Sequence, residues 1–353
     1  MKNLISLRHA LTAGTLLLIN TAGIAQNQTA SKDPHIQSDT RVFLKALNSG
    51  GGKPIETLPP VQARAVLTGA QQSVTVDLSG ITVSERVIKE NGQTIKLHIV
   101  KPKDSKEKLP AFMFFHGGGW VLGDYPTHER MVRDLVVLSG AAAVFVDYTP
   151  SPESQYPVAI NQAFAATSWV AANGSEIGID GTSLAVVGNS VGGNMAAVVS
   201  LMSKDKKGPR IKLQVLFWPV TDANFKTDSY QKFGEERFLT RNMMVWFWDS
   251  YLPDAAKRKD IYATPLSASI DQLKGVAPAL VLTAENDVLR DEGEAYARKL
   301  DEAGVKVSAV RYNGMIHDWG LLNPLATIPG TRAAMLQAAS ELKKALFSEE
   351  IAK

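Results

Sequence analysis

Leu184-Ala185-Val186-Val187-Gly188-Asn189-Ser190-Val191-Gly192-Gly193 is the stretch around which the rest of the chain can be organised. An apolar run of strand length leads into a turn of small residues. A segment with apolar positions at helical spacing, Gly192–Met202, follows it. Gly188-x-Ser190-x-Gly192 is the pattern of a nucleophile elbow, in which a serine sits on a strained strand-to-helix turn. The flanking glycines are needed there because side chains would collide with the strand and the helix. The pattern alone is weak and also fits an ordinary glycine-rich turn. A buried strand before it and an apolar-faced helix after it make it specific.

Working outward, further apolar runs appear at Ala111–Phe115, Ala142–Val146, Leu213–Trp218, Ala279–Thr283 and Val305–Val310. Helical patterns lie between most of them and after the last, at Glu129–Leu138, Val158–Asn173, Glu292–Ala303 and Thr331–Phe347. Strands that are apolar throughout, alternating with helices, predict an α/β fold whose mainly parallel central sheet is covered by helices on both faces. Upstream, Thr82–Ile88 and Thr94–Val100 flank Glu90-Asn91-Gly92 and read as a hairpin. Ser38–Gln71 reads as helical, interrupted by Gly50-Gly51-Gly52 and Pro59-Pro60. Phe43, Leu44 and Leu47 mark the face of its first piece; Val61, Ala65 and Val66 begin the second. The interval Pro219–Pro278 has no strand and one aromatic helix at Thr240–Tyr251, as expected of a lid or substrate-facing insertion.

These readings divide the chain into a signal peptide at 1–25, a flexible leader at 26–37 and a helical segment at 38–71. The α/β core then runs over 72–224 and 261–353, interrupted by an insertion at 225–260; the helical segment and the insertion are the two cap pieces that the resemblance described below implies. The signal peptide rests on Lys2 and Arg8, the apolar run Ala10–Ile19, and small residues at Gly23 and Ala25 before the cleavage point. It predicts export to the periplasm or beyond, with no stable membrane anchor after cleavage.

The 353 residues are 45% hydrophobic and 21% charged, with a formal charge of +3. A globular chain so near neutrality lacks the basic balance that nucleic acid or an anionic membrane requires of a main partner. With no cysteine in the sequence, disulfides, thiolate metal sites and a cysteine nucleophile are excluded. No metal and no organic cofactor is expected, since histidine pairs at ligand spacing, clustered carboxylates and phosphate-binding glycine motifs are lacking.

Phe114-Phe115-His116-Gly117-Gly118-Gly119-Trp120 closes an earlier strand. Consecutive glycines let backbone N–H groups converge on one point, which is how a loop builds an oxyanion hole. Gly117 and Gly118 are the expected donors, with Val191, the residue after the serine, as a third. A serine also needs a base. Past the targeting segment the histidines are His35, His98, His116, His128 and His317, and only His317 follows Ser190. In this class of fold the chain order is nucleophile, acid, base. His317 comes after the last strand, at the sheet end where such sites collect. His116 is expected to fix the glycine loop by hydrogen bonding. The acid belongs after Ala279–Thr283. Asp287 is the first choice and Glu285 the second, with Asp291 read as a helix cap.

His116-Gly117-Gly118-Gly119-Trp120, Gly188–Gly193, Asn286–Gly293 and the late His317 together resemble the hormone-sensitive-lipase-like family of α/β-hydrolases, in its bacterial esterase branch. The likeness covers nearly the whole chain past the targeting segment. Leu58-Pro59-Pro60 resembles that family's N-terminal cap, and Phe238–Arg241 with Trp246–Pro253 its second cap piece. Asp147–Pro157 resembles a further segment, placing Glu153 near the site as a structural acid. The resemblance implies an α/β-hydrolase fold with a helical cap. It also implies hydrolysis of small-molecule carboxylic esters by Ser190, Asp287 and His317, with Gly117, Gly118 and Val191 holding the oxyanion. Short to medium acyl chains are expected, and Trp120, Trp218 and Trp246 are candidate pocket walls, although the cap aromatics read equally as core. The elbow commonly carries Asp and Ala where Asn189 and Val191 stand. Asp318-Trp319 occupies a place where a small residue and Phe are usual. An amidase or lactonase using the same triad, or a non-catalytic binder on the same fold, are the alternative readings, and oligomeric state is open.

Overall fold

The computed structural model describes residues 29–105 and 108–348. The expected signal peptide lies outside the described residues, as do the first three positions of the expected leader.

Eight strands form one sheet: β1 (Ile81–Glu90), β2 (Gln93–Pro102), β3 (Leu109–Phe115), β4 (Ala142–Asp147), β5 (Ile179–Asn189), β6 (Ile211–Phe217), β7 (Ala279–Asn286) and β8 (Val307–Ile316). Their order is β1-β2-β4-β3-β5-β6-β7-β8. The β1–β2 hairpin turns through Asn91-Gly92, both at positive φ as a two-residue turn demands. β2 joins β4 antiparallel, and every later pairing is parallel. The described residues form ten α-helices: α1 (Ser38–Ser49), α2 (Pro60–Gln72), α3 (Tyr125–Ser139), α4 (Val158–Asn173), α5 (Val191–Asp205), α6 (Asp228–Phe233), α7 (Arg241–Tyr251), α8 (Ile270–Leu273), α9 (Arg290–Glu302) and α10 (Pro329–Phe347).

The apolar strands divide their side chains between two cores. On β5, Leu184 and Val186 pack with Val198 of α5 and Leu300 of α9, whereas Ala185 and Val187 pack with Leu135 of α3 and Leu342 of α10. Each buried Val or Leu contributes about 1.5–3 kcal/mol, which is why a central strand can dispense with polar alternation. β5 is therefore a rigid post, and Ser190 stands at its carboxyl end.

Several elements depart from the sequence expectation. α3 starts four residues earlier than its apolar pattern, because Asp124 and Thr127 form a capping box and Pro126 occupies the first turn. His128 therefore lies within its first turn. β8 runs to Ile316, well past Val310, because Gly314 at φ 75° lets the strand continue to the pairing of Ile316 with Asn286. On α2 the buried face is Ala63, Leu67 and Gln71, while Val61 and Val66 point outward. On α1 Thr40 and Leu44 are buried and Leu47 is exposed.

The flexible leader is also corrected over residues 29–37. Ala30 and Ile36 are buried. The Ala30 N–H donates to Glu236 (2.9 Å), Arg237 pairs with Asp33 (2.8 Å), and the Gln37 N–H donates to the Gly314 carbonyl (3.0 Å). This segment is a strap joining Glu236 and Arg237 to β8. Among the described residues, no helix is long and apolar enough to cross a membrane, and no group of three or more His, Asp or Glu could hold a metal ion.

Candidate active site

Ser190 adopts φ 55°, ψ −122°, a left-sided backbone that side chains rarely take and that costs about 1–3 kcal/mol. The sheet holds it there. Its N–H donates to the Phe217 carbonyl (2.9 Å), and its own carbonyl accepts from Val220 (3.1 Å) and Asn194 (3.1 Å). A Cβ on Gly192 would strike the Phe115 carbonyl, so the close approach of α5 to β3 requires glycine there.

His317, immediately after β8, turns its ring into this corner. Its Nε2 lies 3.0 Å from Ser190 Oγ, and its Nδ1 lies 2.7 Å from Asp287 Oδ2. Asp287 follows the end of β7 and is 1% exposed; His317 is 2% exposed. Burial opposes protonation of His317. The Asp287 and Asp318 carboxylates outweigh it, so the imidazole's proton affinity ends above its ordinary value. The geometry is serine, imidazole and carboxylate in a line, in dry surroundings. Such an arrangement can move a proton from a hydroxyl as that hydroxyl attacks.

The two other acids of this stretch are elsewhere. Glu285 accepts the Gly314 N–H (2.7 Å) and braces the β8 bend. Asp291 does not cap α9, whose N-cap is Leu289; it accepts from the Ser229 N–H and from Arg290.

The glycine loop contains one correction. The Gly117 N–H donates to Asn189 Oδ1 (3.0 Å) and faces His128 Nε2 (3.2 Å), so it is already engaged and turned from the serine. Gly118 and Gly119 line the cavity beside Ser190, and among the described residues no hydrogen bond engages their N–H groups. The loop N–H groups left unengaged at the cavity are thus one residue later than expected, and Val191 opens α5 directly after the serine. Gly118 has φ 106°, and a Cβ there would meet the Leu122 carbonyl. His116 braces the loop from behind. Its Nδ1 lies 2.8 Å from the Gly117 carbonyl, and Tyr148 donates its hydroxyl to the His116 carbonyl (2.9 Å). Burial holds both His116 and His128 below the usual histidine range, in the neutral form.

The cavity above Ser190 has a volume of about 50 Å³ and is walled chiefly by apolar side chains of two segments, 55–67 and 238–247. Ile55 and Leu67 come from the first; Phe238, Leu239, Met243 and Phe247 come from the second. None of the three tryptophans expected as walls is among them. Trp120 is buried and stacks on Tyr251, with ring centroids 3.9 Å apart. Trp246 is half-buried against Phe247. Trp218 is buried behind His317, its Nε1 donating to Asp318 (2.6 Å). Asp318 itself faces the cavity, a placement the sequence did not announce. Glu153 forms a two-pronged pair with Arg64 of α2, which also donates to the carbonyls of Val121 and Ser151.

The chain is similar to known proteins over most of its length. Residues 112–321 match the family described as the alpha/beta hydrolase fold. The chain is 34% identical over 273 residues to a carboxylesterase, NlhH, of Mycobacterium tuberculosis, covering 77% of this chain and 85% of that protein. It is 35% identical over 234 residues to an ethyl acetate hydrolase of Pseudomonas putida, covering 65% and 72%. A thermostable esterase from Pseudomonas putida has a solved structure that superposes with a TM-score of 0.89 at 65% identity, covering 90% of this chain and 99% of that one.

Proposed function

The chain belongs to the hormone-sensitive-lipase-like family of α/β-hydrolases and is a carboxylic ester hydrolase, and from that premise we propose that it works through an acyl-serine formed on Ser190. The observation that carries this reading is the line Ser190 Oγ, His317 Nε2 (3.0 Å), His317 Nδ1, Asp287 Oδ2 (2.7 Å) at the floor of an apolar cavity. As Ser190 Oγ bonds to the ester carbonyl carbon, its proton passes to Nε2 and the carbonyl π pair moves onto oxygen. The N–H groups of Gly118, Gly119 and Val191 hold that oxyanion. The C–O bond to the alcohol then breaks, and Nε2 returns the proton to the departing oxygen. Water repeats the sequence to release the acid, and Asp287 keeps the proton of Nδ1 in place throughout.

The small cavity supports short to medium acyl groups. Pockets for drug-sized ligands are roughly 300–1,000 Å³, far larger than the room over Ser190. Initial rates on p-nitrophenyl esters of rising acyl length test this. Activity highest on short chains and lost in Ser190→Ala is expected; turnover by Ser190→Ala near wild type would overturn the assignment.

Export is also part of the proposal, on the strength of the basic, apolar and small-residue order of residues 1–25. N-terminal sequencing of protein from the producing cell checks it. A chain beginning at Gln26 is expected, and one beginning at Met1 overturns it.

A further inference from the structure

Two positions at which the sequence departs from the family's usual pattern, Asn189 before the nucleophile and Asp318 after the histidine, touch one another. Asn189 Nδ2 donates to Asp318 Oδ1 at 3.1 Å. The same oxygen accepts from Trp218 Nε1 at 2.6 Å. Asn189 Oδ1 in turn accepts the Gly117 N–H. One carboxylate oxygen therefore collects the elbow, the glycine loop and the tip of β6. The other oxygen, Oδ2, lies 3.8 Å from His317 Nε2. That is too long for a hydrogen bond, so Nε2 stays directed at Ser190. Asp318 is 5% exposed and sits at φ 58°, a backbone that Asp tolerates better than most residues. Its own carbonyl accepts from Leu321 and Leu322 (2.9 Å each), which fixes the turn that carries it.

Resting on the assignment of Ser190 and His317 as nucleophile and base, we propose that Asp318 is a second positioning carboxylate of the reaction. Oδ1 locks the elbow, glycine loop and β6 tip together, and Oδ2 presents a negative charge to the nitrogen that ferries the proton. Asn189 is then the necessary complement. An amide can accept from Gly117 with one end and donate to Asp318 with the other. A carboxylate at 189 would face Asp318 with no proton between them. The charge that the family usually keeps before the serine has been relocated to the histidine's loop.

The groups facing His317 are few. Asp287 approaches from β7, Asp318 from its own turn and Ser190 from the elbow. Glu292 and Tyr230 lie beyond Asp287, where burial pushes the proton affinity of both up, and His116 and His128 lie behind the glycine loop, where burial pushes theirs down. Of the cap residues lining the cavity, none titrates. Burial lowers the proton affinity of His317, and the charges of Asp287 and Asp318 both raise it.

The test is Asp318→Asn, which keeps an acceptor for Asn189 and Trp218 and removes the charge. The acid limb of kcat/KM on p-nitrophenyl acetate is expected to move to lower pH by about 1 unit or more. Melting temperature checks that the fold survives. An acid limb that stays in place in a folded, active variant overturns the electrostatic role. Asn189→Asp is expected to lose activity, and Asn189→Asp/Asp318→Asn to regain much of it while keeping the lowered acid limb. Full activity in Asn189→Asp, or no recovery in the double variant, overturns the locking role. The double variant also serves if Asp318→Asn fails to fold. Ser190→Ala and His317→Ala in the same assay separate the two levels. If either turns over normally, the triad falls and Asp318 with it. If both are inert and the Asp318 variants behave as wild type, only the Asp318 proposal falls.

Discussion

Asp287→Asn separates the charge of the buried acid from its shape. The side chain is fully enclosed, and its Oδ1 accepts the Leu289 N–H (3.0 Å), a bond the asparagine carbonyl can keep. The 2.7 Å contact of Oδ2 with His317 puts the centres of charge about 4 Å apart once the imidazolium forms, and at an effective dielectric of about 20 that attraction is worth about 4 kcal/mol. Losing it from the transition state slows the reaction by about three decades. An amide N–H facing Nδ1 also favours the tautomer whose proton sits on Nε2, where the lone pair is needed, which takes the total to about four decades. The assay is kcat/KM on p-nitrophenyl acetate from acid to alkaline pH, with the melting temperature alongside. A folded Asp287→Asn protein within about tenfold of wild type at neutral pH would refute the reasoning, because no arrangement that needs an imidazolium beside Asp287 tolerates that result.

Three further outcomes are expected. Because His317 must be neutral to accept the serine proton and its proton affinity is raised, activity should be full at alkaline pH and fall through a midpoint above 6.5, as read from the acid limb of kcat/KM. A midpoint below that value contradicts the double-carboxylate environment. Phe247→Leu, which shortens a buried wall of the cavity, should raise the ratio of octanoyl to acetyl turnover at a stability loss of about 1–3 kcal/mol, measured by acyl-series kinetics and urea unfolding. Arg64→Ala removes hydrogen bonds to Val121, Ser151 and Glu153; half the carboxylate is in water, so the loss should be about 1–2 kcal/mol, and the loosened cap should raise KM more than it lowers kcat.

What the sequence could and could not disclose follows from the range of the interactions involved. β3 to β7 are legible because buried parallel strands must be apolar on both faces, and no distant partner is needed to see that. Ser190, Asp287 and His317 are legible because each follows a strand, and strand ends in this fold converge. The engagement of Gly117 is not legible, because the direction of an N–H depends on a dihedral angle and on Asn189, 72 residues away. The pocket walls differ from expectation for a related reason. A tryptophan is apolar whether it faces substrate or core, and only packing such as that of Trp120 on Tyr251 decides. The strap at 29–37 is polar in sequence, and its few anchors, Ala30, Asp33 and Gln37, have no periodicity; their partners are Glu236, Arg237 and Gly314 of β8.

The backbone bonds that grip Ser190 from both sides have a practical corollary. Since Phe217, Val220 and Asn194 hold the residue through its main chain, its side chain can be exchanged without releasing the turn. The sequence contains no cysteine. Ser190→Cys would thus create a protein with one thiol, fixed at the bottom of the cavity. Alkylating reagents of graded size would then act as a calliper, reporting in solution how wide the cap opens.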